Sequence, residues 1–96
     1  MILLLNENIK KLRLARGLNQ VEFAKILGVS KQCVSNWEND NVMPSIEMLL
    51  KIADFFGVST DYLLGRSDKR VIEVANLTEE QIAHIAYLVD NLKKLN

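Results

Sequence analysis

Helix-capping residues and glycines recur so often between residues 6 and 65 that this part of the chain can form only short helices. Within each interval, apolar residues recur three or four positions apart, which is typical of helices with one buried face. The predicted helices cover residues 6–16, 20–27, 31–38, 46–56 and a short turn after Ser59. Short helices with short connections are typical of an all-α domain, here one of five helices.

A different composition follows these five helices. Residues 66–77 begin with a polar and charged run, so we interpret them as a linker, and several β-branched residues in it favour an extended conformation. Thr78, with acids directly after it, is a typical helix start. The sequence therefore predicts a domain at residues 1–65, a linker at 66–77 and an amphipathic C-terminal helix at 78–96.

The C-terminal helix carries a stripe of large apolar side chains along its whole length, which we call the seam. The seam consists of Ile82, Ile85, Leu88, Val89, Leu92 and Leu95. It can fold back onto its own domain, pair with the same helix of a second chain, or bind another protein. The domain core is expected to be complete by Leu64, and an exposed leucine-rich stripe promotes aggregation. We therefore expect the seam to hold a homodimer together.

Charge is distributed unevenly along a chain whose formal net charge is zero. Residues 8–37 contain six basic side chains and one acid, whereas residues 38–65 contain five acids and one base. A positive field on one side can steer a polyanion while the whole molecule stays neutral. The alternative interpretation is that two sets of solvated helix faces differ by chance.

The sequence lacks the signals of several functional classes. The stretch MILLL is too short for a signal peptide, no apolar run is long enough to cross a membrane, and we expect Leu3–Leu5 to join the core. The single cysteine, Cys33, fits a reducing cytoplasm, and we expect a semi-buried thiol rather than a redox switch. No metal-ligand, phosphate-loop or catalytic spacing occurs in the sequence, so we expect a cytoplasmic protein that is no enzyme and has no cofactor.

The second and third predicted helices are joined by the tight link LGVS at residues 27–30. Two short helices joined in this way form a helix-turn-helix, whose second helix enters the major groove of DNA. Val34 and Trp37 are spaced to face the core. The opposite side of that helix presents polar residues that can reach base edges: Lys31, Gln32, Ser35 and Asn36. Lysine suits the acceptors of guanine, and glutamine and asparagine suit adenine.

Two segments resemble the lambda-repressor-like helix-turn-helix family, also called the xenobiotic-response-element type. They are LNQVEFAKILGVSKQCVSNWEN and, after it, PSIEMLLKIADFFGVSTDYLL. The resemblance covers residues 9–64. It implies a five-helix DNA-binding domain and a bacterial or phage regulator that binds its operator as a dimer. It also implies base-reading roles for Lys31, Gln32 and Asn36, with Ser35 as a weaker candidate. The phosphate contacts that it implies come from Asn19, Gln20, Arg13 and Asn39, and Arg13 is expected to pair with Glu38 within the fold.

The loop after the third helix departs from the family pattern. Relatives have a glycine and then a lysine or arginine there, whereas this chain has Asp40, Asn41, Val42 and Met43. The change removes a phosphate-binding cation and places an acid near the DNA. The resemblance therefore implies weaker non-specific affinity and a smaller dependence of binding on salt than in basic relatives.

Three hypotheses follow from these observations. The first is a sequence-specific transcriptional regulator, a repressor that binds a palindromic operator as a homodimer. The second is an antitoxin-like protein, which binds double-stranded DNA with the same fold and neutralises a partner protein with residues 66–96. The third is a protein-interaction scaffold whose helix-turn-helix no longer binds DNA, and Asp40 is its only support.

Overall fold

A computed structural model describes residues 4–95, and all regular secondary structure among them is helical. The six helices are α1 (Leu5–Ala15), α2 (Gln20–Leu27), α3 (Lys31–Glu38), α4 (Ile46–Phe56), α5 (Thr60–Leu63) and α6 (Glu79–Lys94). The first five lie within residues 4–65, and α6 follows after a non-helical stretch. The all-α architecture predicted from the sequence is therefore confirmed.

Side-chain caps begin most of the helices where the sequence predicts them. Asn19, Ser30, Ser45 and Ser59 each accept a hydrogen bond from the backbone N–H three residues further on. Each cap satisfies one of the N–H groups that a helix start leaves without an internal partner. These local bonds explain why the starts of α2 to α5 agree with the prediction.

The core is built around Phe23 of α2, which is fully buried. Its ring lies 6.0 Å from that of Phe55 and 5.3 Å from that of Phe56, measured between centroids, which are favourable spacings for aromatic pairs. The largest other fully buried side chains come one each from α1 to α5: Ile9, Leu27, Val34, Ile52 and Leu63. Val34 and Trp37 are both buried, as predicted, so the inner side of α3 is fixed to the rest of the domain.

Four apolar residues of α2 and α4 are exposed, although they recur at the spacing of a buried helix face. Val21 and Ile26 of α2, and Ile46 and Leu50 of α4, all have large solvent-accessible fractions, 78% for Ile46. In each helix, a narrower set of residues on one side fills the core, and the exposed residues project away from it. Apolar character alone therefore does not define which side of a helix faces the core.

Two polar side chains tie the ends of helices to distant parts of the domain through three long-range hydrogen bonds. The amide of Asn8 donates to the backbone oxygens of Tyr62 and Leu63, each at 3.1 Å. The ammonium of Lys51 donates to the backbone oxygen of Leu27 at 2.8 Å. All three acceptors are carbonyl groups in the last turns of α5 and α2, where a helix runs out of internal N–H partners.

The expected core placement of Leu3–Leu5 is correct for one of its residues. Leu5 is buried and belongs to the hydrophobic core, whereas Leu4 is exposed. Leu3 lies outside the described residues. Of the two described residues in this stretch, the core therefore includes one.

The stretch between α5 and α6 forms no helix or strand, and it contains a turn in which the N–H of Leu77 donates to the carbonyl of Val74 at 3.0 Å. The guanidinium carbon of Arg70 lies 5.5 Å from the ring centroid of Tyr62 in α5. The ammonium of Lys11 lies 5.7 Å from the same centroid. The cation–π contact from Arg70 therefore holds part of the stretch against the domain, whereas the contact from Lys11 joins α1 to α5.

Helix α6 begins with a complete capping box formed by Thr78 and Gln81. No residue of α6 is buried, and the exposed fraction of the seam side chains reaches 62% at Leu92 and 81% at Leu95. The structure therefore does not show the seam folded back into the core of its own domain.

Candidate nucleic-acid interface

The link between α2 and α3 has the geometry of a tight turn. Gly28 adopts a left-handed backbone conformation, with a φ of 75°, which glycine reaches without a steric penalty from a side chain. The next residue, Val29, donates its N–H to the carbonyl of Ala24 at 3.0 Å and packs against the core. This turn sets the direction in which α3 leaves α2.

Helix α3 has one buried side and one accessible side. Val34, Trp37 and Glu38 are buried. The accessible side contains all four predicted base-reading residues, with Lys31 and Gln32 exposed and Ser35 and Asn36 partly exposed. The structure thus brings these four residues together on one face of a short, well-anchored helix.

Two hydrogen bonds link neighbouring side chains along this face. The amide nitrogen of Gln32 donates to the amide oxygen of Asn36 at 3.0 Å. The amide nitrogen of Asn39 donates to the hydroxyl of Ser35 at 3.2 Å. The first bond leaves the amide oxygen of Gln32 as an acceptor and the amide nitrogen of Asn36 as a donor. Such a pair matches the donor and acceptor groups that base edges display in the major groove.

A buried polar network lies directly behind this face. The guanidinium of Arg13 donates from Nε to Oε2 of Glu38 at 2.7 Å and from Nη2 to Oε1 at 2.9 Å. Its third nitrogen donates to the backbone oxygen of Leu18 at 2.7 Å, and Gln20 donates to Oε1 of Glu38 at 3.1 Å. The hydrogen bonds to Glu38 raise the pKa of Arg13, against the opposing effect of burial. The network fixes α1, α2 and α3 relative to one another.

The predicted ion pair between Arg13 and Glu38 is present, and its side chains are only 7% and 2% exposed. All three guanidinium nitrogens of Arg13 already donate to groups within the fold. A direct contact from Arg13 to a DNA phosphate stays a prediction. The geometry favours a different role for Arg13, which is to hold Glu38 and, through it, the side chain of Gln20.

The other predicted phosphate contacts lie at helix ends. Asn19 uses its side-chain oxygen to accept the N–H of Glu22 at 2.8 Å, which leaves its amide nitrogen as a donor. Gln20 is partly exposed at the first turn of α2, and Asn39 is exposed at the end of α3. The partial positive charge at a helix start suits a phosphate near Asn19 and Gln20.

Asp40 adopts a backbone conformation that usually belongs to glycine. Its φ is 59°, and it is the only residue other than glycine with a positive φ in the described part of the chain. The N–H of Asp40 donates to the backbone carbonyl of Trp37 at 3.2 Å, and the N–H of Asn41 donates to the backbone carbonyl of Asn36 at 2.9 Å. This pattern is a Schellman motif, which ends α3 and favours glycine at the position of Asp40.

We expect the substitution Asp40→Gly to stabilise the domain by about 0.5–1 kcal/mol, because it relieves a left-handed conformation at the cost of some unfolded-state entropy. Urea denaturation of both chains measures the difference. Asp40→Asn is the matched control, because asparagine removes the charge but keeps a side chain at a positive φ. A larger gain from Asp40→Asn than from Asp40→Gly would mean that charge, not backbone strain, dominates at this position.

Cys33 lies on the accessible side of α3 and is exposed, so the expectation of a semi-buried thiol was wrong. Within residues 4–95, no three histidine, cysteine or acidic side chains are grouped in a way that could hold a metal ion. In the same residues, no helix combines the length and the apolar character that crossing a membrane requires.

Two features of this site were missed by sequence reasoning. The bonds from Gln32 to Asn36 and from Asn39 to Ser35 join residues four positions apart, a spacing at which helix side chains commonly meet. That spacing could have predicted both bonds from the sequence. The bond between Gln20 and Glu38 joins residues 18 positions apart. It depends on how α2 and α3 pack together, which the local sequence does not indicate.

Comparison with known proteins agrees with this geometry. The sequence profile of a helix-turn-helix family matches residues 9–63. The transcriptional regulator ImmR of Bacillus subtilis is 38% identical over 64 residues, which cover 67% of this chain and 50% of that protein. This chain therefore spans about half the length of that relative.

Two solved structures have a similar fold. The crystal structure of a transcriptional regulator from Listeria innocua aligns with a TM-score of 0.66 and 29% identity, and the alignment covers 99% of this chain and 97% of that one. The P22 c2 repressor, crystallised with a synthetic operator, aligns with a TM-score of 0.62 and 32% identity, covering 66% of this chain and 96% of that one. The chain belongs to the lambda-repressor-like helix-turn-helix family, of the xenobiotic-response-element type.

Proposed function

We propose that this protein is a sequence-specific DNA-binding transcriptional regulator that acts in the cytoplasm as a repressor, by occupying promoter DNA. The observation that carries the proposal is the accessible face of α3, where Gln32 and Asn36 are joined by a hydrogen bond. Buried Trp37 and Glu38 hold the same helix rigidly from behind. A polar helix face on a fixed support is what the major groove admits and reads.

Each side chain of this face suits a different part of the DNA. Lys31 can donate to the acceptors of guanine, and Gln32 and Asn36 can pair with adenine, with Ser35 able to contact either base type. Gln20, Asn19 and Asn39 lie at helix ends, where donors to phosphate oxygens fix the register of a protein on the duplex. Arg13 acts from behind, by keeping Gln20 and Glu38 in place.

The proposal includes a homodimer that binds a palindromic operator. Its support is the seam on α6, none of whose residues is buried. Burying each of its large apolar side chains contributes about 1.5–3 kcal/mol, which is enough in sum to hold two chains together. A two-fold dimer that presents two α3 helices about 34 Å apart matches half-sites one helical turn apart.

Selection from random double-stranded DNA at low salt tests the DNA-binding part of the proposal. We expect enrichment of an inverted repeat whose half-sites lie about one helical turn apart. If no sequence is enriched over bulk DNA, the scaffold hypothesis is favoured, with Asp40 as the acid that repels the duplex. Enrichment of a single half-site would support sequence-specific binding but contradict the proposal that the operator is a palindrome.

Truncation after residue 65 tests the dimer part of the proposal. The shortened chain is expected to sediment as a monomer, whereas the full chain sediments as a dimer. A dimer that survives truncation would place the interface outside the seam. A full chain that copurifies from its host with a different protein in equal amount, bound through α6, would instead favour the antitoxin-like function.

A further inference from the structure

The apolar residues of α6 follow the repeat of a two-stranded coiled coil. Ile82, Ile85, Val89 and Leu92 recur at alternating spacings of three and four, which places them in one line along the helix. Ile82 and Ile85 are partly exposed, and Val89 and Leu92 are exposed. These four residues form the central line of the seam. A further row of residues, which we call a flank, runs along each side of that line.

The two flanks of this line differ in character. One flank carries Glu79, Ala86 and Lys93, seven residues apart, so it has an acid at one end and a base at the other. The second flank carries Gln81, Leu88 and Leu95 at the same interval. Flanking residues of a helix pair lie beside those of the partner and decide which orientation is preferred.

The relative direction of two paired helices determines which flanks meet. In a parallel pair, each flank faces the opposite flank of the partner, which places apolar Leu88 beside charged Lys93. In an antiparallel pair, each flank faces its own counterpart in reverse order. Glu79 then lies beside Lys93 of the second copy, and Leu88 lies beside Leu88 of the second copy. Only the antiparallel arrangement therefore joins opposite charges and keeps the leucines in apolar contact.

The same register also aligns the central line. When Leu88 is near the two-fold axis, Ile82 faces Leu92 of the second copy and Ile85 faces Val89 of the second copy. Every central residue then meets a large apolar partner. The opposed helix dipoles of an antiparallel pair add to the preference, because each negative end lies beside a positive one.

We propose that α6 pairs with α6 of a second copy in antiparallel orientation, with Leu88 at the two-fold axis and Glu79 opposite Lys93 of that copy. This inference rests on the proposed homodimer and specifies its geometry. An α6 of 16 residues is about 24 Å long. The two DNA-binding domains therefore leave the pair at opposite ends, which is compatible with two separated half-sites.

Disulfide trapping in the full-length chain tests the orientation. Exposed Cys33 is first replaced by serine, so that it forms no disulfide of its own. In that background, Leu88→Cys is expected to cross-link into a covalent dimer under mild oxidation. Ile82→Cys is expected to stay uncross-linked, because about 15 Å of helix separates the two copies of this position in an antiparallel pair. Ala83→Cys, which lies off the seam, is the control for random collision.

The possible outcomes separate the orientation from the dimer itself. Efficient cross-linking through Ile82→Cys but not Leu88→Cys overturns the antiparallel arrangement and leaves the homodimer standing. A dimer that cross-links through neither position also overturns the proposed register. A Cys33→Ser chain that sediments as a monomer at every concentration overturns the homodimer, and the orientation with it.

Charge reversal provides a second, independent readout. Glu79→Lys is expected to weaken the dimer roughly tenfold, because it replaces two attractive contacts with two repulsive ones. Combination with Lys93→Glu is expected to restore most of that loss. Glu80→Lys has a similar effect on the helix dipole but lies away from the seam, so it is the matched control. No recovery in the double variant would contradict the proposed pairing of these two residues.

Discussion

Replacing Glu38 with alanine is expected to destabilise the domain by about 3–5 kcal/mol, because it leaves a buried guanidinium without its counter-charge. Arg13 cannot turn to solvent at low cost, since its side chain is only 7% exposed. Gln20 also loses its acceptor. Urea denaturation of the purified chain measures the change, and Asp54→Ala, which removes an exposed acid of α4, is expected to stay within about 0.5 kcal/mol of the wild type.

The double substitution Arg13→Met with Glu38→Leu separates the cost of an unpaired charge from the contribution of the pair. Removing both charges together avoids leaving one of them buried and alone, so this variant is expected to be more stable than Glu38→Ala. A loss below about 1 kcal/mol in Glu38→Ala would show that water reaches Arg13 and that the network is not the support of α3.

Placing a charge in the seam is expected to have the largest effect on DNA binding. Ile85→Asp introduces a carboxylate at the centre of the proposed dimer interface, twice in every dimer. We expect the chain to become monomeric at micromolar concentration and to lose about 10²–10⁴-fold in affinity for a palindromic site, because two linked domains bind with avidity. Sedimentation and a DNA titration measure the two effects.

Three controls make this result interpretable. Tyr87→Asp adds the same charge at an exposed position of α6 outside the seam, and it is expected to leave the dimer intact. Affinity for an isolated half-site is expected to be unchanged in Ile85→Asp. Thermal stability of the DNA-binding domain is also expected to be unchanged, because no residue of α6 is buried against it. An Ile85→Asp chain that remains dimeric would contradict the role of the seam.

Local signals were sufficient to predict most of the fold. The N-caps at Asn19, Ser30, Ser45 and Ser59 act within three residues of sequence, so they can be read directly and the structure agrees with them. The outward and inward sides of α3 were also predictable, because Trp37 and Val34 could only face the core. The predictions of DNA contacts by individual residues stay predictions.

The features that were not predicted depend on packing between helices. Exposed Val21 and Ile46 look like core residues in sequence, and their direction is decided by the position of Phe23 and its ring partners. Gln20 meets Glu38 only because α2 and α3 cross. The positive φ of Asp40 was missed because an acid stands where the turn favours glycine.

The central claim is that Gln32 and Asn36 on α3 read bases. Its most direct test is the selection of bound DNA sequences by the wild-type chain and by the Gln32→Ala/Asn36→Ala variant, both confirmed as folded. Each amide that pairs with a base contributes about 1–3 kcal/mol of discrimination. We therefore predict that the variant loses preference at the corresponding bases of each half-site while it retains its phosphate-dependent affinity. An unchanged preferred sequence in the variant would contradict the claim that this face of α3 recognises DNA.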